Sequence, residues 1–201
     1  MTEPGAPGGG RGRRRSPVAA VVLVLVAAAV LSTATLFAAR WLVGPHARTP
    51  GNEPSGLGLV RLDRQARPVS LPSLDGSGKV DLAGLTGKPI VMNFWSSHCP
   101  PCKRETPALA AVASTLGGKV NFVGIDTVDD RAKAIAFATQ YKVSYPLAFD
   151  PNGTAADEYG VPGLPVTFFL SASGKTILGE NIGALTAPRL RQILHQLYHV
   201  G

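Results

Sequence analysis

Two cysteines, the only two in 201 residues, stand three apart in Phe94-Trp95-Ser96-Ser97-His98-Cys99-Pro100-Pro101-Cys102. The pair falls where a strand-like apolar run, residues 89–95, passes directly into a helix-like run, residues 100–116, that Gly117-Gly118 ends. Such a junction commits the chain to a strand that delivers its cysteines onto the first turn of a helix. Three uses of the pair compete. A zinc site needs two further ligands. His195 and His199 are four apart at the end of the chain, but about ninety residues beyond Cys102, against 12–15 in a compact finger. A structural staple across a two-residue gap removes little chain entropy and stabilises weakly. Redox chemistry fits these residues better. Cys99 at a helix N-terminus has a favoured thiolate, and only the thiolate attacks a disulfide. Cys102, one turn inside, can resolve the mixed disulfide. Pro100 and Pro101 suit a first turn whose N–H groups have no helical partner.

A second feature constrains where that helix works. Residues 18–39 are 22 consecutive residues without a charge, rich in Ala, Val and Leu. As a helix they span roughly the 30 Å hydrocarbon core of a bilayer. Arg11, Arg13, Arg14 and Arg15 precede the run, and Arg40 and Trp41 follow it. The arginine excess predicts a cytoplasmic N-terminus and an extracytoplasmic remainder. The run exceeds the 7–15 residues of a signal-peptide core, and Phe37-Ala38-Ala39-Arg40 is a poor cleavage site. An uncleaved anchor is therefore expected over a cleaved signal. No Cys follows it, so a lipoprotein anchor does not arise, and Arg14-Arg15 is a weak twin-arginine signal.

The expected organisation has four parts. Residues 1–17 form an Arg-rich cytoplasmic tail, 18–39 the membrane helix, 40–58 a Pro/Gly-rich tether, and 59–201 the extracytoplasmic domain. The formal charge of +7 is shared between the tail and scattered basic residues. No cluster of cations and aromatics marks a nucleic-acid surface.

Within the domain, residues 68–71 and 79–82 read as short strands around the turn Asp75-Gly76-Ser77-Gly78. Strands follow at 120–127, 145–149, 166–170 and 176–180, the last two joined through Ser173-Gly174-Lys175. Helices are expected at 129–141, with Asp129 and Asp130 in the first turn, at 154–159, and at 188–199 capped by Thr186. Strands alternating with helices, then a closing hairpin, indicate an α/β domain with a mixed sheet.

With these elements in place, Phe94-Trp95-Ser96-Ser97-His98-Cys99-Pro100-Pro101-Cys102-Lys103-Arg104-Glu105-Thr106-Pro107 resembles the active site of the thioredoxin-like superfamily. The similarity is specifically to the membrane-anchored TlpA/ResA-type thiol–disulfide oxidoreductases, in the redoxin/AhpC-TSA-like group. It extends over about residues 60–198 and includes Gly163-Leu164-Pro165-Val166-Thr167-Phe168. The resemblance implies a thioredoxin-like fold: a central mixed β-sheet flanked by helices, an N-terminal β-hairpin, and a strand–helix insert at about residues 129–159, preceded here by one transmembrane helix.

It also implies roles. Cys99 matches the attacking thiol and Cys102 the resolving one. Pro165 matches a cis-proline facing the disulfide, with Leu164 shaping the contact to a substrate strand. Glu105, three residues after Cys102, matches an acid that tunes the cysteines or moves a proton. Asn93 stands where cytoplasmic thioredoxins carry a buried Asp, which throws more weight on Glu105. Trp95 is expected as a packing wall and Pro107 as a helix kink. His98, if protonated, would favour the Cys99 thiolate electrostatically. Trp95, His98, Pro100 and Pro101 complete the expected substrate-contact surface. No cofactor beyond the Cys99–Cys102 pair is implied, and no metal.

The implied activity is reduction of disulfides in exported proteins, such as apocytochrome c, with electrons from a membrane carrier of the CcdA/DsbD type. The same sulfurs could instead install disulfides. A copper-handling protein of the Sco type would need wider cysteine spacing and a partner histidine near the cis-proline. A peroxidase would need its cysteine in another loop. A binding module would have no need of the pair.

Overall fold

The computed structural model describes residues 58–200. The apolar run at 18–39, the tail before it and nearly all of the tether lie outside the described residues, and so do the expectations placed on them. Among the described residues no helix is long and apolar enough to cross a membrane.

Among the described residues eight strands and four helices follow in order: β1 (Gly58–Gln65), β2 (Ser70–Pro72), β3 (Lys79–Asp81), β4 (Ile90–Trp95), α1 (Pro100–Thr115), β5 (Asn121–Thr127), α2 (Arg131–Gln140), β6 (Leu147–Asp150), α3 (Thr154–Tyr159), β7 (Val166–Leu170), β8 (Thr176–Ile182) and α4 (Ala187–Tyr198). A single 3₁₀ turn, Leu82–Leu85, links β3 to β4. Six strands form one sheet in the order β1-β8-β7-β4-β5-β6, and β2 and β3 form a separate hairpin. β4 pairs parallel with β5 and antiparallel with β7, so the sheet is mixed. This is the expected α/β thioredoxin-like architecture.

The pleat of β4 divides the core. Ile90, Met92 and Phe94 enter one cluster with Val123, Ile125, Val166, Phe168 and Tyr159, beneath α3 and the β2–β3 hairpin. Val91 points the other way, into a cluster built by Leu109 and Val112 of α1 and Leu190, Ile193 and Leu194 of α4. Every residue of β4 is buried. A strand covered on both faces needs apolar side chains at consecutive positions, which is why residues 89–95 read as an unbroken run. Asn93 is the polar exception.

Three local expectations shift. β1, which the sequence reading left unassigned, forms the sheet edge against β8. Its polar, alternating side chains carry little strand signal because an edge strand buries only part of itself. β6 begins at Leu147 rather than Tyr145, because Tyr145 turns aside to pack on Phe122, with ring centroids 5.8 Å apart. Finally, α2 starts at Arg131. Asp130 is its N-cap, accepting the Lys133 N–H, and Asp129 lies outside the helix altogether. Asp side chains compete for backbone donors and so favour caps over helix interiors.

Candidate active site

The end of β4 and the start of α1 build the site. Cys99 is the N-cap of α1, and its Sγ accepts the Cys102 N–H at 3.2 Å. Pro100 and Pro101 occupy the first turn, where no helical hydrogen bond is lost. The two sulfurs are joined, with Cα atoms 5.3 Å apart. Cys99 is 7% exposed and Cys102 fully buried. Access is therefore asymmetric, and an incoming sulfur meets Cys99 first.

Around the sulfurs lies a small apolar cluster of Leu74, Trp95, Phe137 and Phe149, with Leu164 packed against it. Trp95 stacks on Phe137 of α2 at a centroid distance of 4.8 Å, the packing wall expected of it. The Leu164–Pro165 peptide is cis, and the Gly183 N–H donates to the Pro165 carbonyl at 2.8 Å. Pro107 sits inside α1, which nonetheless runs on to Thr115.

Glu105 lies one turn beyond Cys102 on α1 and is fully buried. Asn93 Nδ2 donates to its Oε1 at 2.8 Å, and the Leu185 N–H donates to its Oε2 at 3.0 Å. Asn93 also donates to Thr167 Oγ1 across β7. Burial pushes the Glu105 carboxyl up to about 7, and the two donors only partly offset that cost. A buried acid poised near neutrality can take or release a proton during turnover. Any proton leaving the Cys102 thiol has this carboxyl as its neighbour on the same helix face.

His98 is exposed, with its side chain 66% accessible. Its Nδ1 lies 3.5 Å from Asp129 Oδ1, and its Nε2 is 3.4 Å from Ser96 Oγ. Asp129 also accepts the Ser97 N–H and, at 3.0 Å, the Ser97 hydroxyl. These hydrogen bonds to the charged form hold its carboxyl below the usual range despite its burial. The turn before Cys99 is therefore tied to the loop after β5. Residue spacing could not reveal that tie, because 32 positions separate Ser97 from Asp129.

Asp126 was also missed. It is fully buried near the end of β5, facing Asp129 and the end of β6. Its signal was present as an acid at an interior position of the apolar run Asn121-Phe122-Val123-Gly124-Ile125-Asp126-Thr127.

Comparison with known proteins agrees with this geometry. The family model described as the AhpC/TSA family matches residues 62–177. The thioredoxin-like protein YneN of Bacillus subtilis is 32% identical over 140 residues, covering 67% of this chain and 79% of that protein. The thiol-disulfide oxidoreductase ResA of Halalkalibacterium halodurans is 27% identical over 137 residues, covering 68% and 77%. A crystal structure of a secreted Mycobacterium tuberculosis disulfide oxidoreductase, homologous to E. coli DsbE, is 32% identical with a TM-score of 0.57, over 64% of this chain and 96% of that one. With its Cys99–Cys102 pair at a strand-to-helix junction, this chain belongs to the AhpC/TSA family, as a thioredoxin-like thiol–disulfide oxidoreductase.

Proposed function

We propose that the chain is an extracytoplasmic protein-disulfide reductase, held at the membrane by the run at 18–39 with its N-terminus in the cytoplasm. Its substrates are disulfides of exported proteins, such as the Cys-x-x-Cys of apocytochrome c. A membrane carrier of the CcdA/DsbD type returns it to the dithiol form.

The reaction balances as two thiol–disulfide exchanges. The Cys99 thiolate attacks one sulfur of the substrate disulfide, and the other substrate sulfur leaves as a thiolate that takes up a proton. Cys102 then attacks Cys99 Sγ, releasing the second substrate thiolate and closing the Cys99–Cys102 bond. The substrate gains two electrons and the pair loses two, which the membrane carrier restores. Leu164 and Pro165 offer their backbone to the substrate strand. Trp95, His98, Pro100 and Pro101 frame Cys99.

The observation that carries this reading is Glu105. A buried carboxyl pushed up to about 7 beside the resolving cysteine can accept the Cys102 proton when Cys102 must attack. Once ionised, it opposes a resting thiolate there and so favours the disulfide over the dithiol. A pair that prefers to be oxidised is a reductant. The opposite direction has its own support. The Cys102 N–H on Cys99 Sγ at the helix N-terminus stabilises the Cys99 thiolate, which favours an oxidant.

The reduction potential of the pair decides, measured on the full-length chain in detergent against a glutathione or dithiothreitol buffer. A value of roughly −250 mV or lower fits the reductase. A value of roughly −120 mV makes the chain an installer of disulfides and overturns the proposal.

A further inference from the structure

Asp126 has no part in the exchange chemistry above, and its surroundings call for one. It is the sixth residue of β5 and sits in register with Trp95, the last residue of β4. It is fully buried, and neither Oδ receives a hydrogen bond from any donor. An ionised carboxylate buried without a donor is costly by several kcal/mol, and such a group takes up a proton instead.

Three charged groups face it: Asp129 from the following loop, Arg131 from α2, and Asp150 from the end of β6. Arg131 is committed elsewhere. Its Nη1 donates to the Ser73 and Leu74 carbonyls, and its guanidinium lies over the Phe149 ring. Asp150 accepts the Ala155 and Ala156 N–H groups. Asp129 is the strongest of the three charges acting on Asp126. Two carboxylates so placed repel, so one of them holds a proton. Asp129 is rich in donors, from Ser97 and the Asp130 N–H, with His98 alongside. Asp126 has none. Asp126 is therefore the member of the pair that takes up the proton, which leaves Asp129 to accept from the Ser97 turn. Burial first, then the neighbouring Asp129, pushes the Asp126 carboxyl up to about 8.

We propose that Asp126 is a positioning residue for the cysteine pair: its proton, donated to Asp129, locks the Ser96–His98 turn that presents Cys99, and loss of that proton releases the turn and sets a second negative charge behind it. The device is distinct from Glu105, which belongs to α1 and is held by Asn93 of β4 and the segment before α4.

The consequence rests on Cys99–Cys102 being the exchange centre. The lock itself does not, so it is read separately. In the oxidised full-length chain in detergent, the Ser97 amide resonance is followed by NMR from pH 5 to 10, and the pair's potential is measured over the same range. The wild-type amide is expected to show an inflection between pH 7 and 9. Asp126→Asn keeps a donor toward Asp129 but cannot ionise, so its Ser97 amide should show no inflection between pH 7 and 9. Glu105→Gln should leave the inflection in place. The potential of Asp126→Asn should depart from wild type only above about pH 7, where the second charge appears.

A wild-type Ser97 amide without an inflection overturns the proposal. So does an inflection between pH 7 and 9 that survives in Asp126→Asn, or a potential profile identical in the two proteins. If Asp126→Asn does not fold, Asp129→Asn replaces it. Removing the like charge should then move the inflection down by about one pH unit, and an unmoved inflection overturns the proposal. A pair that proves redox-inactive while the amide titrates would sink the proposed function and leave the lock standing.

Discussion

Asn93 Nδ2 donates to Glu105 Oε1 at 2.8 Å, and this bond joins the middle of the central strand to the helix carrying both cysteines. Asn93 has a second donor hydrogen on Thr167 of β7. One amide thus ties three neighbouring elements together beneath the disulfide, and it presents Glu105 with a donor rather than a charge.

Glu105→Gln tests that arrangement. The carboxyl accepts from two donors, Asn93 and the Leu185 N–H. A glutamine has one acceptor oxygen and must turn its NH₂ toward one of them. Leaving a buried donor unsatisfied costs about 1–3 kcal/mol, measurable by denaturant unfolding of the oxidised protein. The variant should also lose the pH dependence of Cys102 attack near neutrality. An unfolding curve matching wild type would show that the site accommodates an amide without loss.

The pH dependence of stability follows from the same group, with its sign fixed. The folded Glu105 carboxyl is raised from 4.5 to about 7, so the folded state holds a proton that the unfolded chain has released. Its contribution is full below about pH 4.5, falls as pH rises to about 7, and is constant above. The loss is about 3 kcal/mol. Asp126 adds a slope of the same sign from 3.8 to about 8. The difference in unfolding free energy between wild type and Glu105→Gln, plotted against pH, isolates the Glu105 part. A difference that does not vary between pH 4.5 and 7 contradicts the assignment.

The asymmetry of burial between Cys99 and Cys102 predicts which sulfur is trapped. Cys102→Ser should accumulate a mixed disulfide through Cys99 when mixed with a peptide bearing a strained disulfide, because nothing resolves it. Cys99→Ser should react at background rate, its remaining thiol being fully buried. Mass spectrometry of the adducts reads both. Equal trapping by the two variants would mean that Cys102 is reachable after all.

Gly124→Ala examines the packing behind the site. A Cβ at this position would lie 2.6 Å from Leu147 Cδ2 and 2.8 Å from Trp95 Nε1. The substitution should destabilise by about 1–3 kcal/mol, as over-packing does. It should also disturb the stacking of Trp95 on Phe137, visible as altered tryptophan near-UV circular dichroism. Wild-type stability and an unchanged spectrum would show that β5 can shift away from Trp95.

Local pattern was enough for the elements that depend on it. The unbroken apolar run of β4, the Thr186 cap whose Oγ1 accepts the Arg189 N–H, and α3 all emerge as read from the sequence. Their signals are short-range: burial on two faces, an N-cap hydroxyl, the punctuation of Gly153 and Gly160. β1 was unreadable because an edge strand buries only part of itself, and the α2 start was misplaced because Asp129 looks like a helix residue until Ser97 is brought to it.

The two cysteines, their strand-to-helix junction and the proline-filled first turn are properties of nine consecutive residues, and the sequence by itself determined them. Glu105 could be named from the family resemblance of the motif, but its burial and its two donors could not. Asn93, Glu105 and Leu185 are brought together only when β4, α1 and the segment before α4 pack. The same holds for Asp126, Asp129 and Ser97. Proton affinity depends on desolvation and on neighbours distant in the chain, so the sulfurs were legible in the sequence and the acids that govern them were decided by the tertiary structure.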